Sequence, residues 1–167
     1  MIRRALLLSA LALIAACAPR APEPELPPPD LGTGTLIVLR HTDRSPPEND
    51  LNPTGIARAA ALPAALADLP IDAIYISDFR RNRDSAAPLA AARGLTPEVL
   101  ATDDSLPYQL AALSQGRTVV WIGNSFNLEP LWEALALPDP PPTTYGEIAI
   151  VTATEGAAEV ARRRFEP

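Results

Sequence analysis

The sequence predicts an α/β domain with three layers, in which a mostly parallel sheet carries helices on both faces. Short apolar runs rich in β-branched residues, typical of buried strands, alternate after residue 34 with longer segments of helical character. Such alternation is typical of parallel sheets. Apolar residues make up 47% of the chain, which is enough for a core, although aromatic residues contribute only 5%. A length of 167 residues suits one domain.

Local signals set the boundaries of the predicted elements. Asn52 followed by Pro53 is typical of a helix N-cap and first turn. Gly94 and Pro138 are typical of residues that end a helix, and a bend is expected near Pro63. The predicted strands are 35–39, 71–76, 97–100, 118–122, 147–152 and, at an edge of the sheet, 160–165. The predicted helices are 53–68, 80–93, 106–114 and 128–137.

The start of the chain has the features of an export signal. Two arginines precede an apolar stretch, residues 5–16, that is too short to span a bilayer. The stretch runs into Leu-Ile-Ala-Ala-Cys17, which resembles a bacterial lipobox, where the Cys is lipidated and becomes the new N-terminus. Cys17 is the only cysteine, so a disulfide within the chain is impossible. We therefore predict a lipoprotein signal peptide at residues 1–16; an ordinary cleaved signal is the alternative.

Residues 17–34 are predicted to be a lipidated Cys followed by a tether. Six prolines between positions 19 and 29 favour an extended, semi-rigid segment. The folded domain is then expected to cover residues 35–167. Ala18 after the Cys resembles the sorting pattern of outer-membrane lipoproteins, in which Asp would favour the inner membrane. We therefore expect a protein of the cell envelope, attached to the outer membrane through its lipid and facing the periplasm.

The net charge of the chain limits the classes of ligand that it can bind. Its formal net charge is −6, and all fourteen basic residues are arginines. An acidic protein of this kind is not a general nucleic-acid binder, so we expect no nucleic acid among its partners. Any anion must bind in a local basic pocket against the overall field, and the planar guanidinium of Arg suits bidentate anion binding.

Polar residues follow three of the predicted strands at the point where each strand ends. Arg40 and His41 follow the first strand, Ser77 and then Arg81 follow the second, and Asn124 follows the fourth. The carboxyl ends of parallel strands meet at one edge of a sheet, where ligands bind. His41 is the only histidine. One imidazole, several guanidinium groups and hydrogen-bonding side chains at that edge indicate a site for a phosphoryl group.

With these residues in place, the chain resembles the histidine phosphatase superfamily, whose fold is called phosphoglycerate-mutase-like. The resemblance covers about residues 35–165, and the small size, without room for a large cap, is similar to the minimal members. Four segments in the family's order carry it: Leu36–Thr42, similar to a strand followed by Arg-His-Gly or Arg-His-Ala; Leu51–Ala60, similar to L-[ST]-x-x-G-x-x-[QR]-A; Ile74–Ala86, similar to S-[SD]-x-x-R-x-x-x-[ST]-A; and Val119–Ser125, similar to V-x-V-G-H-S.

The resemblance implies a role for each matched residue. His41 matches the nucleophile that becomes phosphohistidine, and Arg40 and Arg81 match the two arginines that hold the phosphoryl oxygens. In this chemistry a neutral imidazole attacks phosphorus while arginines neutralise the equatorial oxygens. The resemblance implies neither a cofactor nor a metal. The expected ligand is a phosphorylated small molecule or a phosphoprotein.

The chain departs from the family's pattern beside the nucleophile. Asn124 stands where the family has a second histidine, and an amide can donate a hydrogen bond but carries no charge. We predict that Asn124, Ser125 and Arg44 bind substrate, with Arg44 as a third clamp. Thr42 replaces the usual small residue after the nucleophile and adds a hydroxyl there.

The general acid stays open at this stage. Asp43, Asp103 and Asp104 are candidates, and solvated loop carboxylates are the alternative for the last two. Arg80 and Arg83 are expected to be solvated helix residues rather than ligands.

Two functions of different classes are compatible with these residues. The first is an envelope-anchored phosphatase that hydrolyses a phosphomonoester through phosphohistidine, with activity reduced by the loss of the second histidine. The second is a catalytically inactive relative that binds a phosphorylated ligand or an envelope partner. A mutase is disfavoured because it needs a capped, water-poor site. Substrate choice is expected to depend on the loops 43–51, 102–115 and 138–146.

Overall fold

The computed structural model describes residues 27–154 and 157–167. The predicted signal peptide, the lipidated Cys17 and most of the predicted tether lie outside the described residues. Within them, no helix is long and apolar enough to cross a membrane. The strands are β1 Thr35–Arg40, β2 Ala73–Ile76, β3 Glu98–Val99, β4 Thr118–Gly123, β5 Glu147–Thr154 and β6 Ala157–Arg164. The helices are α1 Pro53–Ala65, α2 Arg80–Arg93, α3 Leu106–Ser114 and α4 Ser125–Ala134.

The strands form one sheet in the order β3-β2-β4-β1-β5-β6. The first four strands in this order, β3, β2, β4 and β1, are parallel to one another. Strand β5 pairs antiparallel with β1, and β6 pairs antiparallel with β5. In the register of β1 and β4, Arg40 lies opposite Gly123. The two strands therefore end side by side, and the residues that follow them emerge at the same edge.

Helices cover both faces of the sheet. Successive side chains of a strand point to opposite faces, so β1 supplies two cores. Ile37 and Leu39 belong to one core with α1 and α2, and Leu36 and Val38 belong to the other with α3 and α4. The predicted three-layer, mostly parallel α/β fold is confirmed.

All six strands and four helices occur where the sequence predicted them, within a few residues. The largest difference concerns α4, which begins at Ser125 instead of residue 128 and ends at Ala134 instead of 137. Its first turn begins Ser-Phe-Asn, and because Phe126 is exposed while Asn127 is buried, the turn lacks the apolar helical pattern of a core-facing helix. The turn is organised by hydrogen bonds instead, because the Asn127 side-chain oxygen accepts from the Asn124 backbone N–H at 2.9 Å. At the other end, Ala136 adopts a positive φ of 50°, which ends the helical path.

Two glycines hold places that disfavour a side chain, one because of its backbone conformation and the other because of a close approach. Gly94 ends α2 in the left-handed conformation, with φ 66°, as the sequence predicted for a helix C-terminus. Gly55, in the first turn of α1, lies so close to the chain after β1 that an added Cβ would come within 2.0 Å of the Asp43 carbonyl oxygen. The predicted cap of α1 is also present, since the Asn52 side chain accepts from the Gly55 N–H at 2.8 Å.

The segment just before β1 packs against the domain. Leu31 is only 4% exposed and belongs to the core under α3 and α4. Its carbonyl accepts from the Gly34 N–H, and the Gln115 side chain donates to the Asp30 carbonyl at 2.7 Å. The last residues of the predicted tether are therefore held on the domain surface.

A buried arginine ties the loop after β1 to the C-terminal end of the described chain. Arg58 of α1 is 7% exposed, and its Nε donates to the Asp43 carboxylate at 2.6 Å. Its Nη1 donates to the Phe165 carbonyl at 2.6 Å and to the Glu166 carboxylate at 3.1 Å. Removing one partner of a buried pair leaves the other charge uncompensated.

We expect Arg58→Leu to lower the free energy of unfolding by about 3–5 kcal/mol, because it strands the partly buried Asp43 carboxylate. The matched control is Arg80→Gln, which removes an exposed ion pair with Asp50 and is expected to cost about 1 kcal/mol or less. Urea denaturation monitored by tryptophan fluorescence measures both. Equal effects of the two substitutions would show that the Arg58 contacts do not hold the loop.

Candidate active site

Three loops meet at the carboxyl edge of neighbouring parallel strands. Strand β4 lies between β2 and β1, so Ser77 after β2, Asn124 after β4 and His41 after β1 come together. All three are buried, with exposures of 0%, 2% and 2%. The polar clusters that the sequence placed at strand ends therefore converge.

His41 is held in one orientation by two hydrogen bonds. Its backbone N–H donates to the Gly123 carbonyl at 2.9 Å, and its Nδ1 lies 2.7 Å from the Thr42 carbonyl oxygen. A carbonyl only accepts, so Nδ1 carries the hydrogen. In a neutral imidazole the lone pair then belongs to Nε2, which is the atom that would attack an electrophile.

The surroundings keep His41 neutral. Burial, together with the charges of Arg40, Arg81 and Arg44, lowers the pKa of His41 from 6.5 to about 4, against the opposing effect of the Thr42 hydrogen bond. The imidazole therefore carries no proton on Nε2 at neutral pH. A nucleophile must be unprotonated to act, and this environment provides that form.

The charges around His41 are all positive. Arg40, Arg44 and Arg81 each lower the pKa of the imidazole, and no carboxylate of the described residues counteracts them. Over residues 27–154 and 157–167, no salt bridge joins any of the three to an acidic side chain. Burial and the charges of Arg44 and Arg40 also lower the pKa of Arg81. We call these three residues the arginine cluster; it is a concentrated positive charge that suits a phosphoryl dianion.

Arg81 is oriented by side-chain amides. Its Nε and Nη2 both donate to the Asn124 side-chain oxygen, at 3.0 and 2.7 Å, and its Nη1 donates to the Asn49 side-chain oxygen at 3.3 Å. The guanidinium also lies over the Phe79 ring, 4.2 Å from its centroid. These bonds use three of about five N–H donors, so others remain for a ligand.

Asn124 has both ends of its side chain engaged. The oxygen accepts from Arg81, and the nitrogen donates to the Ser77 hydroxyl at 2.6 Å. The sequence predicted that this amide would donate to the substrate. In the structure its oxygen supports Arg81, while Ser125, also predicted to bind substrate, is the half-buried first residue of α4; substrate binding by both residues stays a prediction.

The loop before β5 contributes contacts that the sequence did not predict. Arg40 Nη1 donates to the Thr143 carbonyl at 3.0 Å, and the Arg40 guanidinium lies 4.3 Å from the Tyr145 ring centroid. The Tyr145 ring also packs against His41, with centroids 5.7 Å apart. One aromatic ring thus positions both the nucleophile and its neighbouring cation. A lone Tyr in a Pro-rich loop offered no motif from which to predict this.

Arg44 belongs to the loop between β1 and α1. Its Nη1 donates to the Glu48 carbonyl at 3.1 Å, and its backbone forms an isolated antiparallel bridge with Leu51. The Arg44 Nε is buried without a partner in the described part of the chain. The same loop carries Asn49, which contacts Arg81. The loop therefore brings a third cation and an amide to the cluster.

The Thr42 side chain contacts Ser85 of α2. It is 1% exposed, its N–H donates to the Ser85 hydroxyl at 2.9 Å, and the two hydroxyls lie 3.1 Å apart. The Ser85 hydroxyl in turn donates to the Arg81 carbonyl at 2.7 Å. The hydroxyl that the sequence placed beside the nucleophile thus links His41 to α2.

Of the candidate acids, two are engaged elsewhere. Asp43 forms the ion pair with Arg58. Asp103 accepts from Ser105, whose hydrogen bonds lower the pKa of Asp103, so it is a poor proton donor. Asp104 is exposed on the loop before α3.

The flanking arginines are exposed, as expected for solvated residues. Arg80 pairs with Asp50, and Arg83 pairs with Asp78. In the part of the chain that the structure describes, no group of three or more His, Cys, Asp or Glu side chains is arranged to hold a metal ion.

Comparison with known protein families finds one family model that matches the segment containing most of these site residues. The model of the histidine phosphatase superfamily, branch 1, matches residues 37–107, which include Arg40, His41, Arg44 and Arg81. A comparison with curated protein sequences finds no match. The sheet, the helices on both faces and the site at the carboxyl edge define a phosphoglycerate-mutase-like α/β domain. Over residues 37–107 the chain is similar to the histidine phosphatase superfamily.

Solved structures share the fold over most of the chain. The protein histidine phosphatase SixA in complex with tungstate is 21% identical, with a TM-score of 0.63, over 78% of this chain and 96% of that one. A mycobacterial glucosyl-3-phosphoglycerate phosphatase with inorganic phosphate is 17% identical, with a TM-score of 0.55, over 79% and 95%. Phosphoserine phosphatase from Entamoeba histolytica with 3-phosphoglyceric acid is 13% identical, with a TM-score of 0.59, over 75% and 94%.

We expect the imidazole of the single histidine to titrate near pH 4, with hydrogen on Nδ1 and not on Nε2 above that pH. Nitrogen-15 NMR observes this group without ambiguity because no other histidine is present. The unfolded chain binds this proton near pH 6.5, so the contribution of neutral His41 to stability is present above about pH 6.5 and declines as the pH falls towards 4.

Arg81→Gln should raise the pKa of His41, because it removes one of the charges that oppose protonation. Arg83→Gln is the matched control from the same helix, and it should leave the pKa unchanged. A wild-type midpoint near 6.5, or equal behaviour of the two variants, would contradict the described electrostatics.

Proposed function

We propose that this protein is a phosphatase that hydrolyses a phosphomonoester through a phosphohistidine intermediate on His41. One observation carries the proposal: a buried, neutral imidazole with a free Nε2 lies among three arginines that no carboxylate of the described residues neutralises. A phosphoryl dianion is the ligand that this charge and these donors fit best.

In the first step, the Nε2 lone pair of His41 attacks phosphorus, the N–P bond forms and the bond from phosphorus to the leaving oxygen breaks. Arg40, Arg44 and Arg81 balance the charge of the three other phosphoryl oxygens. The Nδ1–H bond to the Thr42 carbonyl stabilises the positive charge that develops on the imidazole. The leaving oxygen departs as an anion and takes a proton from solvent.

In the second step, water attacks the phosphorus of phosphohistidine. The N–P bond breaks and inorganic phosphate is released. The electron pair of the N–P bond returns to Nε2, which regenerates neutral His41. The attacking water supplies the new oxygen of the phosphate and releases one proton to solvent. The cycle needs no cofactor.

Asn124 is expected to reduce the rate without abolishing the reaction. A charge-assisted hydrogen bond contributes about 1.5–3 kcal/mol and a neutral one about 1 kcal/mol. Losing the charge of a second histidine in the transition state would then cost about 0.5–2 kcal/mol, or roughly 2- to 30-fold in rate. Oxyanion complexes of two structural neighbours, one with tungstate and one with inorganic phosphate, support a site of this type.

A catalytically inactive, ligand-binding relative is the second candidate. It is favoured by the position of Asn124, whose amide oxygen accepts from Arg81 and whose amide nitrogen donates one of its two N–H groups to Ser77, so that at most one uncharged donor is left for a substrate. Such a protein would keep the arginine cluster to bind a phosphorylated ligand or an envelope partner.

The two functions are distinguished by incubating purified full-length protein with an aryl phosphate. We expect turnover together with an acid-labile phosphohistidine adduct detected by mass spectrometry. His41→Ala should abolish both, because Nε2 is lost. Arg83→Gln, with its exposed pair, should keep both. If wild type gives neither turnover nor adduct while Asn124→His gives both, the protein is inactive as it stands, and the ligand-binding role replaces the phosphatase.

We also propose that the phosphatase is anchored to the cell envelope by lipid on Cys17. The support is the position of the only cysteine directly after Leu-Ile-Ala-Ala at the end of the apolar stretch. Several acyl chains on one residue anchor a protein stably, whereas a single chain binds only marginally. The domain would then act on phosphate esters in the periplasm.

Expression in a bacterium fed with labelled fatty acid should place label on the wild-type protein. Cys17→Ser should remove it, because serine offers no thiol for the thioether, and Ala18→Ser should retain it. Label on the Cys17→Ser protein, or none on wild type, would contradict the anchor.

A further inference from the structure

A groove runs between the start of α3 and the first turns of α4. Its volume is about 870 Å³. The side chains that matter below are Tyr108, Phe126, Pro130, Asp104 and Glu133, all of which line it. The groove is separate from the buried nucleophile, and the reaction described above makes no use of it.

Two aromatic rings connect the groove to the arginine cluster. Phe126 lines the groove, and its ring meets that of Phe79 edge to face, with centroids 6.1 Å apart at 78°. The Arg81 guanidinium also lies over the Phe79 ring, 4.2 Å from its centroid. Phe79 and Phe126 therefore form a chain of contacts from the arginine cluster to the groove.

Both rings are available to a ligand. Phe126 is 55% exposed and Phe79 is 37% exposed, and they account for two of the four exposed large apolar side chains in the described ranges. Burying a ring in contact with these faces removes apolar surface from water and adds an aromatic pair, which contributes about 0.5–1.5 kcal/mol beyond area burial. The surface therefore fits an aromatic group attached to the phosphate.

The charge of the groove excludes an anionic group. Asp104 and Glu133 line it, as does Asp103, and no arginine among the residues that the structure describes lines it. A leaving group with its own carboxylate or phosphate would meet like charge there. An uncharged or cationic group would not.

The chemistry of the leaving group also favours an aromatic group. Asp43 is bound to Arg58, and no carboxylate in the described part of the chain affects the titration of His41. In the proposed first step the leaving oxygen departs as an anion, so it must be stable in that form. A phenol has a pKa of about 10, whereas an alkoxide is nearly as basic as hydroxide and is therefore a much poorer leaving group.

We infer that the substrate is an aryl phosphomonoester, whose aromatic leaving group carries no negative charge and lies on Phe79 and Phe126 at the mouth of the groove. This inference rests on the proposed function, since it assigns the phosphoryl group to the arginine cluster.

Calorimetric titration of the full chain with non-hydrolysable phosphonates tests the aromatic contact without requiring turnover. We expect benzylphosphonate to bind roughly 3- to 10-fold more tightly than methylphosphonate. Phe126→Ala should remove most of this ratio and leave the affinity for methylphosphonate unchanged. Phe126→Leu, which keeps apolar bulk without a ring, should reduce it in part. The control Ile56→Ala removes an equally exposed apolar side chain of α1 and should keep the full ratio.

The charge of the groove is tested with 4-carboxybenzylphosphonate. Wild type should bind it more weakly than benzylphosphonate, and Asp104→Asn combined with Glu133→Gln should reduce that difference by roughly 2- to 5-fold. No change in the double variant would overturn the charge selection.

The outcomes separate this inference from the proposed function. If every phosphonate binds wild type equally, or if the ratio survives in Phe126→Ala, the aromatic site is wrong while the phosphoryl site stands. If no phosphonate binds, the phosphoryl site itself is wrong, and the substrate class with it.

Discussion

Three arginines surround one neutral imidazole, and in the described ranges no carboxylate neutralises them. The protein keeps these like charges together with uncharged acceptors. Arg81 bonds to the Asn124 amide oxygen, Arg40 to the Thr143 carbonyl and Arg44 to the Glu48 carbonyl. Aromatic faces add to this, as Phe79 lies against Arg81 and Tyr145 against Arg40. Because the supports carry no charge, the positive potential remains available to an anion. The same potential and burial keep His41 unprotonated.

This constraint explains several other features of the molecule. Asn124 suits its position because an amide oxygen accepts two bonds from one guanidinium, which a protonated imidazole cannot do. The acidic side chain two residues after His41, Asp43, is bound to the buried Arg58 and so does not reduce the charge of the cluster. A site with strong anion attraction, in which the Asp43 carboxylate is bound to Arg58, suits substrates whose leaving group is stable as an anion, which agrees with the proposed aromatic contact.

The fold and the frame of the site were predictable from the sequence, because local patterns specify them. Apolar periodicity located the six strands, a Gly and an Asn-Pro pair located helix ends, and strand ends located His41 and Arg81. The contacts of Tyr145, Asn49 and Phe79 were not predictable, since they come from loops whose paths depend on tertiary packing. The first turn of α4 was missed for a related reason: its order comes from side-chain hydrogen bonds, which leave no apolar pattern.

The most direct test of the account is the affinity of the protein for inorganic phosphate, measured by calorimetry at neutral pH and constant salt. The arginine cluster predicts one phosphate per chain and at least about tenfold weaker binding for Arg81→Gln, as expected for the loss of a charge-assisted contact. Asn124→Ala should also weaken binding, because Arg81 loses its support, while Arg83→Gln should not. Phosphate binding that is absent, or that is indifferent to Arg81, would contradict the central claim.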